Sequence, residues 1–210
     1  MLFNPLDGIL GSTTKVQILR VLLPLTHPVS GREAQKLARI KSRNGAGNAL
    51  DDLSDLGVLQ RTDIRGSHLY EVNREHELVP PLAALFRQEE RRLQALTSTI
   101  RKGLSERKLA EHVRSVILYG SNARLDATPA SDVDLLAVVD SELAASAVKE
   151  ALYEMGDDLR RRQGLRTSPY VLTASRVRER MEDGDPLMAT ILKEGRVLVG
   201  ETLDGMVGAW

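Results

Sequence analysis

Two aspartates stand two residues apart in Ser131-Asp132-Val133-Asp134-Leu135-Leu136, a run whose apolar content reads as a strand. Side chains two apart on a strand share a face, so both carboxylates project together, about 6.7 Å apart along the chain. Such a pair can hold paired divalent cations about 3.5–4 Å apart, the arrangement for in-line attack on a phosphoryl group. Mg²⁺ suits the pair, because it takes oxygen ligands and needs few from a protein when substrate phosphates supply the rest. Upstream, Leu118-Tyr119-Gly120-Ser121-Asn122-Ala123-Arg124 places a Gly-Ser turn after a buried-strand run. That turn exposes backbone N–H groups and a hydroxyl at a helix start, a cradle for phosphate. The four histidines, His27, His68, His76 and His112, have no ligand spacing and are expected at the surface.

Gly-Ser-x-Ala-Arg, a short loop and Ser-Asp-x-Asp-Leu together resemble the nucleotidyltransferase superfamily of DNA polymerase beta, above all its minimal bacterial and archaeal members. The resemblance spans about Val113–Gly200 and takes in the ending Lys193-Glu194-Gly195-Arg196-Val197-Leu198-Val199-Gly200. It implies that Gly120 and Ser121 hold the triphosphate tail of a nucleotide, with Arg124 assisting. It also implies that Asp132 and Asp134 are the catalytic, Mg²⁺-binding carboxylates. The implied reaction is transfer of a nucleoside monophosphate from an NTP to an acceptor hydroxyl. In minimal members the acceptor is often a protein, toxins of toxin–antitoxin pairs among them. The family also places a third carboxylate on a later strand. Here Arg166-Thr167-Ser168-Pro169-Tyr170-Val171-Leu172-Thr173 puts Ser168, or Thr167, at that position, while Asp140, Asp157 and Asp158 fall elsewhere. Two functions stay open: an active transferase, or a domain that binds nucleotide or a partner without chemistry.

The elements that must position these residues follow from the period of the apolar pattern. Strands are expected over Val116–Tyr119, Val133–Val139, Tyr170–Leu172 and Val197–Val199, with helices over Ala144–Arg162 and Leu187–Lys193. Strands alternating with helices indicate an α/β or α+β second domain over residues 111–210, and the resemblance implies that it is an α/β nucleotidyltransferase fold with a mixed sheet, in a chain that is α+β overall. Residues 80–110 carry Leu82, Phe86, Leu93, Leu96, Ile100 and Leu104 at helical spacing after Pro80-Pro81. They predict one linker helix, Pro80–Leu104, about 38 Å long at 1.5 Å per residue. Its apolar stripe must be buried, either in a homodimer or against one of the domains.

The first 79 residues predict a separate domain. Ser12 caps a helix that runs to Pro24, Ser30 and Glu33 form a capping box, and a third helix starts near Ser42-Arg43-Asn44 and stops at Gly57. Val58–Thr62 and His68–Val72 then read as a hairpin across Arg65-Gly66-Ser67. Gly11 to Asn73 resembles the winged helix-turn-helix transcriptional regulators of bacteria and archaea. That likeness implies transcription regulation and duplex-DNA binding through Lys41, Ser42, Arg43, Asn44 and Asn48 at the start of the third helix. Arg65 and Ser67 would act at the wing tip. Asp51, Asp52 and Asp55 farther along the helix repel phosphate, so only its first turns could enter a groove. Protein docking is the other use of such a domain.

Composition sets the limits. Lys plus Arg and Asp plus Glu are each 29, so any nucleic-acid surface is local. The absence of cysteine excludes disulfides, thiolate metal sites and cysteine nucleophiles. Aromatic residues are 3%, too few for a base-stacking platform. Met1-Leu2-Phe3-Asn4-Pro5 lacks the basic start and apolar run of a secretory leader, and no window approaches a membrane span. The chain reads as cytoplasmic.

Overall fold

The computed structural model describes residues 5–64 and 66–208. The chain divides into two compact units, Met1–Glu90 and Arg91–Trp210. No helix among the described residues is long and apolar enough to cross a membrane.

Unit 1 contains α1 (Pro5–Leu10), α2 (Thr13–Leu22), β1 (Val29–Ser30), α3 (Gly31–Leu37), α4 (Arg43–Asp55), β2 (Leu59–Ile64), β3 (Ser67–Val72) and α5 (Val79–Glu90). Each central helix starts on a serine cap: Ser12 Oγ accepts from the Lys15 N–H, Ser30 Oγ from Glu33 and Ser42 Oγ from Gly45. These bonds satisfy N–H groups that have no partner inside the helix. The three strands pair antiparallel in the order β1-β3-β2. β1 was not foreseen, since two residues carry no period. Ile18, Leu19, Leu22, Leu50, Leu53 and Tyr70 pack the core.

Unit 2 contains α6 (Arg92–Glu106), a 3-10 turn (Ala110–His112), β4 (Val113–Tyr119), α7 (Gly120–Arg124), β5 (Val133–Val139), α8 (Glu142–Gln163), β6 (Thr167–Thr173), α9 (Ala174–Glu182), α10 (Pro186–Glu194), β7 (Arg196–Gly200) and α11 (Leu203–Gly208). The sheet order is β6-β5-β4-β7, with β5 and β6 parallel and the other pairs antiparallel. This is a mixed sheet. The period of two divides β5 cleanly. Val133, Leu135, Ala137 and Val139 join the core with α6 and α8, while Leu136 and Val138 join Met188, Ile191 and Met206 on the other face. Fully burying such side chains contributes roughly 1.5–3 kcal/mol each, enough to fix the register of the strand that carries the aspartates.

One expectation is corrected. The pattern from Pro80 to Leu104 is two helices, α5 and α6, parted at Arg91. Val79, Leu82, Ala83 and Phe86 are buried in the unit 1 core, and Leu96, Ile100 and Leu104 in the unit 2 core. Every stripe residue but Leu93, which stays 42% exposed, is consumed in one of the two cores, which leaves little apolar surface for a homodimer built on the stripe. A continuous period hid the change of partner, because both helices keep the same spacing.

Candidate functional site

The centre lies where β4 ends beside the start of β5. Tyr119, the last residue of β4, pairs with Asp134, so the Gly-Ser turn begins directly across from that aspartate. Gly120 takes φ +70°, and a Cβ there would lie 3.3 Å from Asp134 Cγ and closer still to Oδ2. Only glycine combines that backbone with that neighbour. The carboxylate therefore rests directly on the turn. Ser121 follows in α7, half-buried, its carbonyl accepting from the Leu125 and Asp126 N–H groups that close the short helix.

Asp132 lies just before β5 rather than inside it. Its backbone carbonyl accepts from Asn122 Nδ2 at 2.7 Å, which ties the loop to α7. Its carboxylate meets Arg166 Nε at 3.0 Å, and Arg166 also donates to the Ala130 carbonyl. Asp134 is treated differently. Burial, then the charge of Asp132, push its carboxyl above the usual range, and Arg124 offsets this only in part. The two acids are close enough for the charge of Asp132 to act on Asp134, and a cation between them would relieve that cost. Arg124 itself is held by Asp126 at 3.1 Å and Glu194 at 3.5 Å.

The parallel register separates the two alternatives for the third acidic position. Asp134 pairs with Ser168, and Val133 with Thr167. Paired residues share a face, so exposed Ser168 sits beside Asp134, whereas Thr167 reaches back to Gly156 of α8. No group of three or more histidine, aspartate or glutamate side chains poised for a metal occurs among the described residues. The donor set of two hard carboxylates, with the N–H groups of the Gly-Ser turn close by, fits Mg²⁺ carried in with substrate phosphates. Arg166, Asn122 and Glu194 were missed in the sequence. Arg166 is placed beside Asp132 by the parallel β5–β6 register, because it immediately precedes β6.

In unit 1, α3, α4 and β3 enclose a concavity of about 470 Å³. Arg43, Asn44, Asn48 and Ser67 line it together, with Arg32 and Gln35 added from α3. Lys41 and Ser42 are exposed at the α4 start but do not line it. Arg65 lies outside the described residues. Two acids of α4 have local partners, and one of them, Asp51, also lines the concavity. Asp52 pairs with Lys15 at 2.8 Å, and Asp51 with Arg61 at 3.3 Å and the Tyr70 hydroxyl at 3.0 Å.

Residues 97–198 match the family model of the nucleotidyltransferase domain. The match opens within α6, upstream of the span recognised from motifs, and contains the whole Asp132–Asp134 centre. It supports nucleotidyl transfer in general, and domains of this family typically use divalent metals such as Mg²⁺. No curated protein matches the chain significantly. Among solved structures, one chain from a crystal structure of a toxin-antitoxin with AMP-PNP is similar at 14% identity and a TM-score of 0.33, with 54% of this chain and 85% of that chain covered.

Proposed function

We propose that unit 2 binds an NTP with Mg²⁺ and transfers its nucleoside monophosphate to an acceptor hydroxyl. The observation that carries this reading is the Asp132–Asp134 pair set against the Gly120–Ser121 turn inside the matched span. Asp132 and Asp134 would hold the metal, which when bound neutralises charge on the transferring phosphoryl group. Gly120 and Ser121 would bind the triphosphate through N–H groups and a hydroxyl, and Arg124 would face the phosphates from the end of α7. Burial and the charge of Asp132 push the Asp134 carboxyl above the usual range, and a bound cation would favour its ionised form. The acceptor oxygen then forms a bond to the α-phosphorus, the bond to the β-phosphate oxygen breaks, and pyrophosphate leaves. Ser168 offers a hydroxyl where a carboxylate would accept the acceptor's proton, so that proton passes to solvent. Incubation of the full chain with labelled NTPs, Mg²⁺ and cell lysate tests the transfer, with Asp134→Asn as the inactive control.

Ser168 also supports a second reading, in which the domain binds nucleotide without chemistry and serves a regulator. Ser168→Asp separates the two: higher turnover supports a transferase limited by proton removal, and turnover absent from both forms supports the regulator.

For unit 1 we infer a winged helix that binds duplex DNA. The gathering of Arg43, Asn44, Asn48 and Ser67 at one concavity supports it; Asp51, which lines the same concavity, is paired with Arg61 and the Tyr70 hydroxyl, and Asp52 with Lys15. The wing-tip contact expected of Arg65 belongs to the same proposal. Gel shifts on genomic fragments at low salt test it, and the absence of any shift ends it.

A further inference from the structure

Asp132, Asp134, Asp126 and Glu194 gather around two cations, Arg124 and Arg166. The group thus holds two more acids than cations, a surplus that one divalent cation balances. Arg124 is the cation that acts on Asp134, and Arg166 is the one in contact with Asp132. Arg166 Nε meets Asp132 Oδ1 at 3.0 Å and Nη2 donates to the Ala130 carbonyl, so one guanidinium bridges two residues of the loop before β5. The loop has other ties. Asn122 Nδ2 donates to the Asp132 carbonyl at 2.7 Å, the Thr128 N–H to Ser131 Oγ at 2.9 Å, and the Ser131 N–H to the Thr128 carbonyl at 2.9 Å. The Arg166 backbone is fixed as well, because its carbonyl accepts from the Val133 N–H at 2.7 Å where the β5–β6 pairing begins. The side chain is held less: 49% of it is exposed, as is 50% of the Asp132 side chain. An ion pair this exposed is weak. The guanidinium can leave its carboxylate while loop and strands stay in place.

We propose that Arg166 is an exchangeable counterion: a divalent cation takes Asp132 from it, and the released guanidinium binds the polyphosphate of the NTP. The proposal rests on the transferase reading above and adds a nucleotide-binding residue to it. A cation drawn to both aspartates competes with Arg166 for the charge of Asp132 and repels the guanidinium beside it. Polyphosphate is the partner that suits the freed group. The planar fork of a guanidinium matches two phosphate oxygens, and a charged oxygen displaces the neutral Ala130 carbonyl that Nη2 holds. The Gly120–Ser121 turn, across from Asp134, brings the phosphates to the same place. Arg166 therefore opposes a bare cation and favours one that arrives with its phosphates.

The test uses the full chain and two probes, at about 0.15 M salt so that distant charges are screened. Mn²⁺ alone, read by the paramagnetic resonance of the free ion, reports the cation site. Mg²⁺ with each of the four NTPs, read by calorimetry, reports the nucleotide. Arg166→Ala should bind Mn²⁺ about two- to fivefold more tightly, the range for a competing exposed ion pair. It should bind Mg²⁺–NTP on the order of tenfold more weakly, as expected for a lost charge-assisted contact. The opposite signs are diagnostic, because a residue that only shapes the loop would weaken both. Arg166→Gln, which keeps a donor for the Ala130 carbonyl, should show the same two signs. Arg166→Lys keeps the charge without the fork and should recover part of each change. Arg162→Ala removes a cation that Asp158 holds at 2.9 Å at the end of α8, and should match wild type with both probes. Mn²⁺ affinity at or below that of wild type in Arg166→Ala and Arg166→Gln overturns the proposal, as does wild-type Mg²⁺–NTP affinity in both. Equal changes in Arg162→Ala also overturn it, since they would reflect net charge alone. In each of these cases heat from wild type with Mg²⁺–NTP leaves the transferase reading standing. Absence of that heat with all four NTPs overturns the transferase reading itself.

Discussion

Replacing Gly120 by alanine separates the stability of the site from its chemistry. At φ +70° an L residue costs about 1–2 kcal/mol. The added Cβ also collides with Asp134 Oδ2, but that atom ends a short side chain that can swing away, so the collision adds little to the folding cost. For a unit spanning Arg91–Trp210, the loss corresponds to a melting temperature lower by roughly 4–10 °C. Gly164→Ala is the matched control. Gly164 caps α8 at φ +67° with nothing within 4 Å of its would-be Cβ, so it carries the backbone cost alone. Both variants should melt alike in calorimetry. They should differ in function, because displacing a catalytic group by about 1 Å costs on the order of a hundredfold. Gly120→Ala should lose Mg²⁺–NTP binding and Gly164→Ala should keep it. Wild-type nucleotide affinity in Gly120→Ala would refute the claim that this turn sets the Asp134 carboxylate.

Other outcomes follow from unit 1. The buried Tyr70 hydroxyl donates to Asp51, and burial first, then that acid, push its pKa up to about 12. A folded-state pKa above the unfolded value near 10 contributes stability that is full below about pH 10 and is lost as pH rises toward 12. Tyr70→Phe should cost roughly 1 kcal/mol at neutral pH and flatten the alkaline limb of a pH–stability curve. Arg43→Ala should weaken duplex binding and reduce the salt slope by about 1, read in a filter or anisotropy titration.

The face that carries Asp134 was legible because strand alternation is unforgiving: with Leu135 in one core and Leu136 in the other, Asp134 has one place to point. The Gly-Ser turn was legible for the same reason, since β4 announces its end with Tyr119-Gly120. α9 was not foreseen, because only Val177 among its residues is buried and the rest gives no apolar stripe. The break at Arg91 was hidden, since helices packing on different cores can share one period. The ion pair of Arg166 with Asp132 needed the β5–β6 register, which periodicity alone does not supply.

The central claim is that Asp132 and Asp134 form a nucleotide–metal site. Isothermal titration calorimetry of the full chain with Mg²⁺ and each NTP tests it directly, alongside Asp132→Asn and Asp134→Asn. Asparagine keeps the shape and removes one charge, so each variant should lose most of the heat seen with wild type, whereas Ser121→Ala, which deletes one hydrogen bond, should retain much of it. Heat that is the same in wild type and both asparagine variants, or absent from all three, contradicts the account.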